Sequence, residues 1–368
     1  VNKTRWSTTL LVILLGHGPG VDAAPREAGY LNVPAGFAVE VLAEVPGARS
    51  MALGAKGTLF VSTQFGGKVF AVRQPFSGEP QLITLAEGLK VPNGIAFHHN
   101  ALYVAEPQRI LRFADIETRL ESPGSPDVVV ADLPYAKPIH SWKYIAFGPD
   151  GKLYVPVGAP CNVCSEPGFA VILRMNADGS GREVFARGVR NTVGFAWHPD
   201  NNEFWFTDNG RDMLGDEVPP CELNRATQAG LDFGFPYCHA GAIPDPEFAR
   251  LGRCEDAVPP ARALGAHVAP LGMKFYTGRM FPQEFRNQIF IAEHGSWNRS
   301  KEAGKTGHRV SLVRLKNGQA VGYETFMDGF LDGDNARGRP VDVLVAPDGA
   351  LLVSDDKAGM IYRVVYRD

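Results

Sequence analysis

The sequence predicts an all-β fold, a six-bladed β-propeller whose N-terminal strand closes the last blade, and three observations lead to it. One strand-turn-strand outline recurs six times, Gly and Pro number 41 and 28 among 368 residues, and short apolar runs stand where helical periodicities would otherwise appear. Gly and Pro at this level suit many short strands joined by turns. With 45% hydrophobic and 21% charged positions, the chain can bury one or two substantial cores and is not a disordered polymer.

The six units run in order. The first two are Met51–Val61 and Gly94–Val104, and the next two, Ile145–Val155 and Gly194–Phe206, carry Pro-Asp-Gly or Pro-Asp-Asn as the turn. The fifth passes from Gly272–Tyr276 through a longer insertion to Gln288–Ala292, and the sixth is Val341–Val353. A further apolar strand usually follows, as in Lys68–Arg73, Ile110–Phe113, Val171–Met175, Val310–Leu315 and Ile361–Val364. Small antiparallel sheets repeated every ~40–80 residues are the signature of a propeller with insertions between strands. Phe37–Leu42 has no turn partner beside it, so it is expected to pair with Ile361–Val364 and remove the edges of an open ring. A two-domain β-sandwich would also use short strands, but the persistent four-part unit argues against it.

Lys3 and Arg5 precede the apolar run Leu10–Leu15 and small residues around Val21–Ala24. This reads as a cleavable export signal over residues 1–23, leaving residues 24–368 as a single propeller domain in a periplasmic or secreted protein. No later stretch reaches the ~20 uncharged apolar residues of a membrane-spanning helix. The formal charge of −3 stays mildly negative after processing, which disfavours nucleic acid and anionic membranes as partners.

An oxidising compartment makes the five cysteines informative. Cys161-Asn-Val-Cys164 is spaced for a tight disulfide, a redox pair or half of a zinc site, but Cys221, Cys238 and Cys254 form no second C-x-x-C. The favoured reading is Cys161–Cys164 and Cys238–Cys254 as structural disulfides with Cys221 unpaired, a connectivity that spacing alone leaves open. No His follows Cys164, so covalent haem attachment is unsupported.

Loops joining blades on one propeller face surround the central channel, so polar residues scattered along the chain can meet there. The candidates flank the repeated strands: Arg49, His140 with Lys143, Arg190-Asn191, Asp208–Asp212, His294–Arg299 and Arg337-Gly-Arg339.

Five segments in order carry a family resemblance: His140-Ser-Trp-Lys143 running on to Val155, Arg190–Phe195, Thr207–Asp212 through Glu222-Leu-Asn224, Ala292–Arg299, and Gly338–Asp342. On these the chain resembles the soluble quinoprotein sugar dehydrogenases that use pyrroloquinoline quinone (PQQ), most closely the sorbosone dehydrogenase-like branch, over almost all of its mature length. The resemblance implies a six-bladed propeller, and it implies roles. His140 matches the general base that removes the substrate hydroxyl proton, a task suited to an imidazole near neutral pH. Arg190, counted with His140 as catalytic, and Asn191 match cofactor contacts, and Arg339 a second arginine at the quinone. Guanidinium forks suit a cofactor with several carboxylates and with negative charge developing on reduction. Gly210 and Arg211 align with the turn whose backbone carbonyls bind the calcium ion (Ca2+) that polarises the reacting carbonyl.

Lys143, Arg49, His294 and Asn298 are further expected cofactor contacts, and Trp297, flanked by Ser296 and Asn298, reads as a wall for a planar ring. The soluble glucose dehydrogenase pattern differs, since Pro92 stands where that branch has glutamine and Glu293-His294-Gly295 replaces the region of its cofactor lysine. The expected reaction is therefore oxidation of a sugar, sugar aldehyde or polyol. Electrons leave for an external acceptor, a separate cytochrome or quinone. A metal-dependent lactonase would need side-chain carboxylates around a central metal, where the matched loops are rich in Arg and His. A non-catalytic binding propeller would explain the repeats without needing His140.

Overall fold

The computed structural model describes residues 28–367, and the export-signal reading of residues 1–23 lies outside them. Among the described residues, six sheets follow one another along the chain, five of four strands and one of five, with two further two-stranded ribbons. Blade 1 holds Met51–Leu53, Leu59–Ser62, Val69–Arg73 and Gln81–Ala86, and blade 2 holds Gly94–His98, Ala101–Ala105, Ile110–Phe113 and Asp127–Val130. Blade 3 is Ala146–Phe147, Leu153–Val157, Val171–Met175 and Glu183–Arg187, with Leu231–Asp232 added in parallel at its outer edge. Blade 4 is Phe195–Trp197, Phe204–Asp208, Pro220–Ala226 and Arg262–Ala266, and blade 5 is Pro270–Phe275, Ile289–Glu293, Arg309–Lys316 and Gln319–Met327. Each predicted unit thus supplies the first two strands of one blade.

Blade 6 joins the two ends of the chain. Pro340–Val345, Leu351–Asp355 and Met360–Tyr366 come from the C-terminal end, and Phe37–Glu44 pairs antiparallel on the outside, with Phe37 opposite Tyr366 and Val39 opposite Val364. This is the closure expected for Phe37–Leu42. Glu40 fixes it through Arg363 and Arg367, each 2.7 Å away, and the Phe37 ring meets Phe281, Phe285, Phe326 and Tyr366 edge-on.

Alternation along the second strands explains how the blades stack. Leu102 and Val104 pack toward blade 1, while Ala101, Tyr103 and Ala105 pack toward blade 3; successive side chains of a strand point to opposite faces. Phe60 likewise faces blade 2 while Leu59 and Val61 face blade 6. Six clusters of buried apolar side chains result, one between each pair of adjacent blades. The second strands are buried on both faces and therefore read as continuous apolar runs, whereas outer strands such as Gln81–Ala86 are largely exposed.

Near the axis the first strands approach closely. A Cβ at Gly194 would stand 2.1 Å from the Leu271 carbonyl oxygen of the next blade, so only glycine permits that contact. The Cys161–Cys164 and Cys238–Cys254 bridges form as favoured, and Cys221 is unpaired and buried.

Val39 is buried between blades 5 and 6, and we expect Val39→Asp to cost at least about 3 kcal/mol, because it places a carboxylate in the closing interface. Leu82→Asp on the exposed outer strand of blade 1 is expected to cost less than about 1 kcal/mol. Urea denaturation of the two variants checks the contrast.

Candidate functional site

Antiparallel pairing decides where the loops emerge. The start of each first strand and the end of each second strand lie at the same end of a blade, so the residues flanking them gather on one face. Arg49, His140, Asn191 and Arg339 precede or lead into first strands, while Gly210 and His294 follow second strands. A cleft of about 350 Å³ opens among them. Arg49, His140, Arg190, Asn191, Gly210, His294, Trp297, Asn298 and Arg339 all line it. Two expected residues do not. The Lys143 side chain is buried beneath the cleft with its Nζ 2.9 Å from the Ser141 carbonyl. Arg211 sends its guanidinium away to Asp245 and to Glu247, so Gly210 and Arg211 themselves can offer the cleft only backbone.

His140 has a left-handed backbone, φ 49°, a conformation that non-glycine residues adopt at a cost. Its Nδ1 lies 2.8 Å from the Ala159 carbonyl oxygen. A carbonyl can only accept, so Nδ1 carries the hydrogen and Nε2 keeps a lone pair. Burial, then the charges of Arg190 and Lys143, push the imidazole down to about 3, so it is neutral at neutral pH. The chain can pass this close because residue 158 is glycine; a Cβ there would stand 2.9 Å from the His140 Cβ and 3.3 Å from the Arg190 carbonyl oxygen.

The three arginines are held differently. Arg190 is buried and donates from Nε to the Asn162 carbonyl at 2.8 Å, from Nη2 to Asn162 Oδ1 at 3.0 Å and Asp212 Oδ2 at 3.1 Å, and from Nη1 to the Asn209 carbonyl at 3.1 Å. Asp208 fixes the backbone below it, accepting the amides of Arg190 at 2.8 Å and Asn191 at 2.6 Å. Burial beside Glu222 raises the Asp208 carboxyl. Arg49 donates from Nε to Asn93 Oδ1 at 2.9 Å and from Nη1 to Asp356 Oδ2 at 2.8 Å. Arg339 donates from Nε to the His294 carbonyl and from Nη2 to the Gly295 carbonyl, each at 2.9 Å. Its Nη1 and the Nη2 of Arg49 take no part in these bonds, and both residues line the cleft.

His294 Nε2 lies 3.0 Å from Asp356. Burial, offset in part by Asp356 and deepened by Arg339 and Arg49, lowers this imidazole to about 4, so a neutral ring donates to the carboxylate that Arg49 also pairs. Asn298 donates to Asp212 Oδ1 at 2.7 Å. Its own Oδ1, and the Nε1 of the cleft residue Trp142, are buried without a partner. Trp297 is 70% exposed and Phe65 86% exposed at the mouth, which leaves two flat rings beside the opening.

This donor set fits a planar polycarboxylate: guanidiniums for the carboxylates, unpaired amide and indole groups for polar edges, and aromatic faces for the ring. It also offers a hard cation oxygen ligands, the Gly210 turn backbone and the Asp212 carboxylate. Among the described residues no group of three or more His, Cys, Asp or Glu side chains converges as metal ligands. Asn93, Asn162, Asp356 and Phe65 were not legible as site residues from the sequence. Asn93 and Asp356 do follow the positional rule, standing just before a first strand and just after a second.

The described arrangement has relatives. The family model TrAA12-like matches residues 31–367. An uncharacterized protein of Borreliella burgdorferi is 36% identical over 360 residues, covering 94% of this chain and 93% of its own. The holo pyranose dehydrogenase PQQ domain from Coprinopsis cinerea superposes with a TM-score of 0.77 at 18% identity, covering 93% of this chain and 98% of that one. A calcium structure of the Trichoderma reesei carbohydrate-active enzyme family AA12 gives 0.77 at 19% identity, over 94% of this chain and 98% of that one.

Folded His140 binds a proton far less readily than its unfolded counterpart, so between about pH 6.5 and 3 the unfolded state takes up the extra proton. The stability held by neutral His140 is complete above pH 6.5 and is lost as pH falls toward 3. Cofactor-free His140→Gln is therefore expected to lose less stability than wild type across that window, with the difference constant above it, as followed by thermal unfolding at stepped pH.

Proposed function

Because the chain belongs to the TrAA12-like family, we propose that it is a PQQ-dependent oxidoreductase acting on a sugar, sugar aldehyde or polyol. The observation that carries this reading is a neutral histidine with a free Nε2 lone pair set in a cleft ringed by three guanidiniums. When bound, the quinone supplies the two-electron acceptor for hydride. Arg49, Arg190 and Arg339 would hold its carboxylates, and their positive charge would favour negative charge on the ring. Trp297 bounds the ring at the mouth, and Asn298 and Trp142 offer it polar contacts. The backbone carbonyls of Gly210 and Arg211 would hold a calcium ion, which would supply a Lewis acid at the cleft.

His140 Nε2 takes the proton of the substrate hydroxyl. Its low proton affinity reflects burial beside Arg190 and Lys143; an anionic cofactor among the arginines offsets their charge and raises the imidazole toward the range useful for a base. We place the protein in the periplasm or outside the cell, where the two disulfides would persist. Electrons then pass to an external acceptor, a separate cytochrome or quinone. The sorbosone-like specificity of the sequence resemblance remains part of this proposal.

The test is reconstitution of the cofactor-free protein with PQQ and calcium, followed by dye reduction across a panel of sugars and polyols. Sugar-dependent dye reduction is expected, and its absence with cofactor bound would remove the reading. His140→Gln is expected to keep quinone, measured by absorbance in the same sample, while turnover falls by about two to four orders of magnitude; near wild-type turnover would assign His140 a packing role. Exhaustive chelation of calcium before reconstitution is expected to abolish turnover, with recovery on adding calcium back.

A further inference from the structure

We infer that Asn162, in the loop closed by the Cys161–Cys164 disulfide, is a positioning residue that orients the Arg190 guanidinium for an anionic cofactor; this rests on the functional reading above. Four of the five guanidinium N–H groups of Arg190 are engaged, and two of those bonds end on Asn162, one on its carbonyl at 2.8 Å and one on Oδ1 at 3.0 Å. The same Oδ1 accepts the Asp212 amide at 2.8 Å, and Asn162 Nδ2 donates to the Asp212 carbonyl at 3.0 Å. One side chain therefore joins the loop after blade 3's second strand, the loop before blade 4 and the turn that carries Gly210.

The chemistry of these acceptors matters. Three of the four bonds from Arg190 go to neutral oxygens, on Asn162 and Asn209, and one goes to the Asp212 carboxylate. Neutral carbonyls fix the guanidinium plane without cancelling its charge, so the charge stays available to an incoming carboxylate through the remaining Nη1 hydrogen. The disulfide holds the backbone on both sides of Asn162. The two cysteines stand out in the sequence, whereas the task of Asn162 between them appears only when Arg190, 28 positions later, folds against it.

The test is a double-mutant cycle read as the dissociation constant for PQQ, with thermal unfolding of each cofactor-free variant as the check on folding. Asn162→Ala is expected to weaken binding about tenfold, the effect of roughly 1.4 kcal/mol from a lost hydrogen bond to a charged group. In an Arg190→Ala background the same change is expected to shift binding less than about twofold, since the group it positions is gone. Wild-type affinity in Asn162→Ala, or an equal loss with and without Arg190, overturns the inference. If Asn162→Ala does not fold, Cys161→Ser with Cys164→Ser must show the same Arg190-dependent weakening, and an Arg190-independent result or no weakening overturns it. Wild-type protein that takes up no PQQ overturns the functional reading first, and this inference with it.

Discussion

Ring closure is the constraint on which the cleft depends. A blade has two apolar faces, and each must find a neighbour; Phe37–Glu44 crosses to pair with Met360–Tyr366 and completes the sixth blade, whose faces meet blades 5 and 1. The closing strand is itself part of the packing, because Val39 and Phe37 join the cluster between blades 5 and 6. Arg49 follows that strand by five residues and pairs with Asp356, which lies just before Met360–Tyr366. The strand pairing that seals the ring thus also sets the first arginine against the carboxylate and histidine of blades 6 and 5. An open ring would lose an apolar interface and one wall of the cleft together.

The cleft concentrates cations at a cost that the surrounding loops offset. Arg49 and Arg190 are buried and Arg339 is half-buried, and burying a guanidinium is unfavourable unless its donors are met. They are met mostly by backbone carbonyls and side-chain amides, with Asp212 and Asp356 as the carboxylate partners. Net positive charge consequently survives at the surface of the cleft, and the neutrality of His140 and His294 is the response of two titratable rings to burial in that field. A field of this sign favours a polyanionic ligand and negative charge developing on it.

The fold was largely legible along the chain because its determinants are local. Pro-Asp-Gly turns, runs of apolar residues and glycines at close approaches are all decided within about ten residues, and each unit repeats them. The closing strand could be identified as the one apolar segment left without a turn partner. The two disulfides match the pairing favoured for the compartment expected of the protein, although cysteine spacing alone left their connectivity open.

The sequence by itself determined which loops would meet, since antiparallel pairing puts the start of every first strand and the end of every second strand on one face. It also determined that arginines, histidines and tryptophan would stand there. Only the tertiary structure decided which side chains turn inward. Lys143 and Arg211 lie in the right loops and point elsewhere, the first under the cleft and the second to Asp245. Asn162 carries no signal of its own, and Asn93 and Asp356 only that of loop position, yet all three hold the arginines in place. Loop position is a property of chain order, whereas side-chain direction and hydrogen-bond partners depend on backbone dihedrals and on distant neighbours, as Arg49 does on Asp356, 307 residues away, and those are set only when the ring has closed.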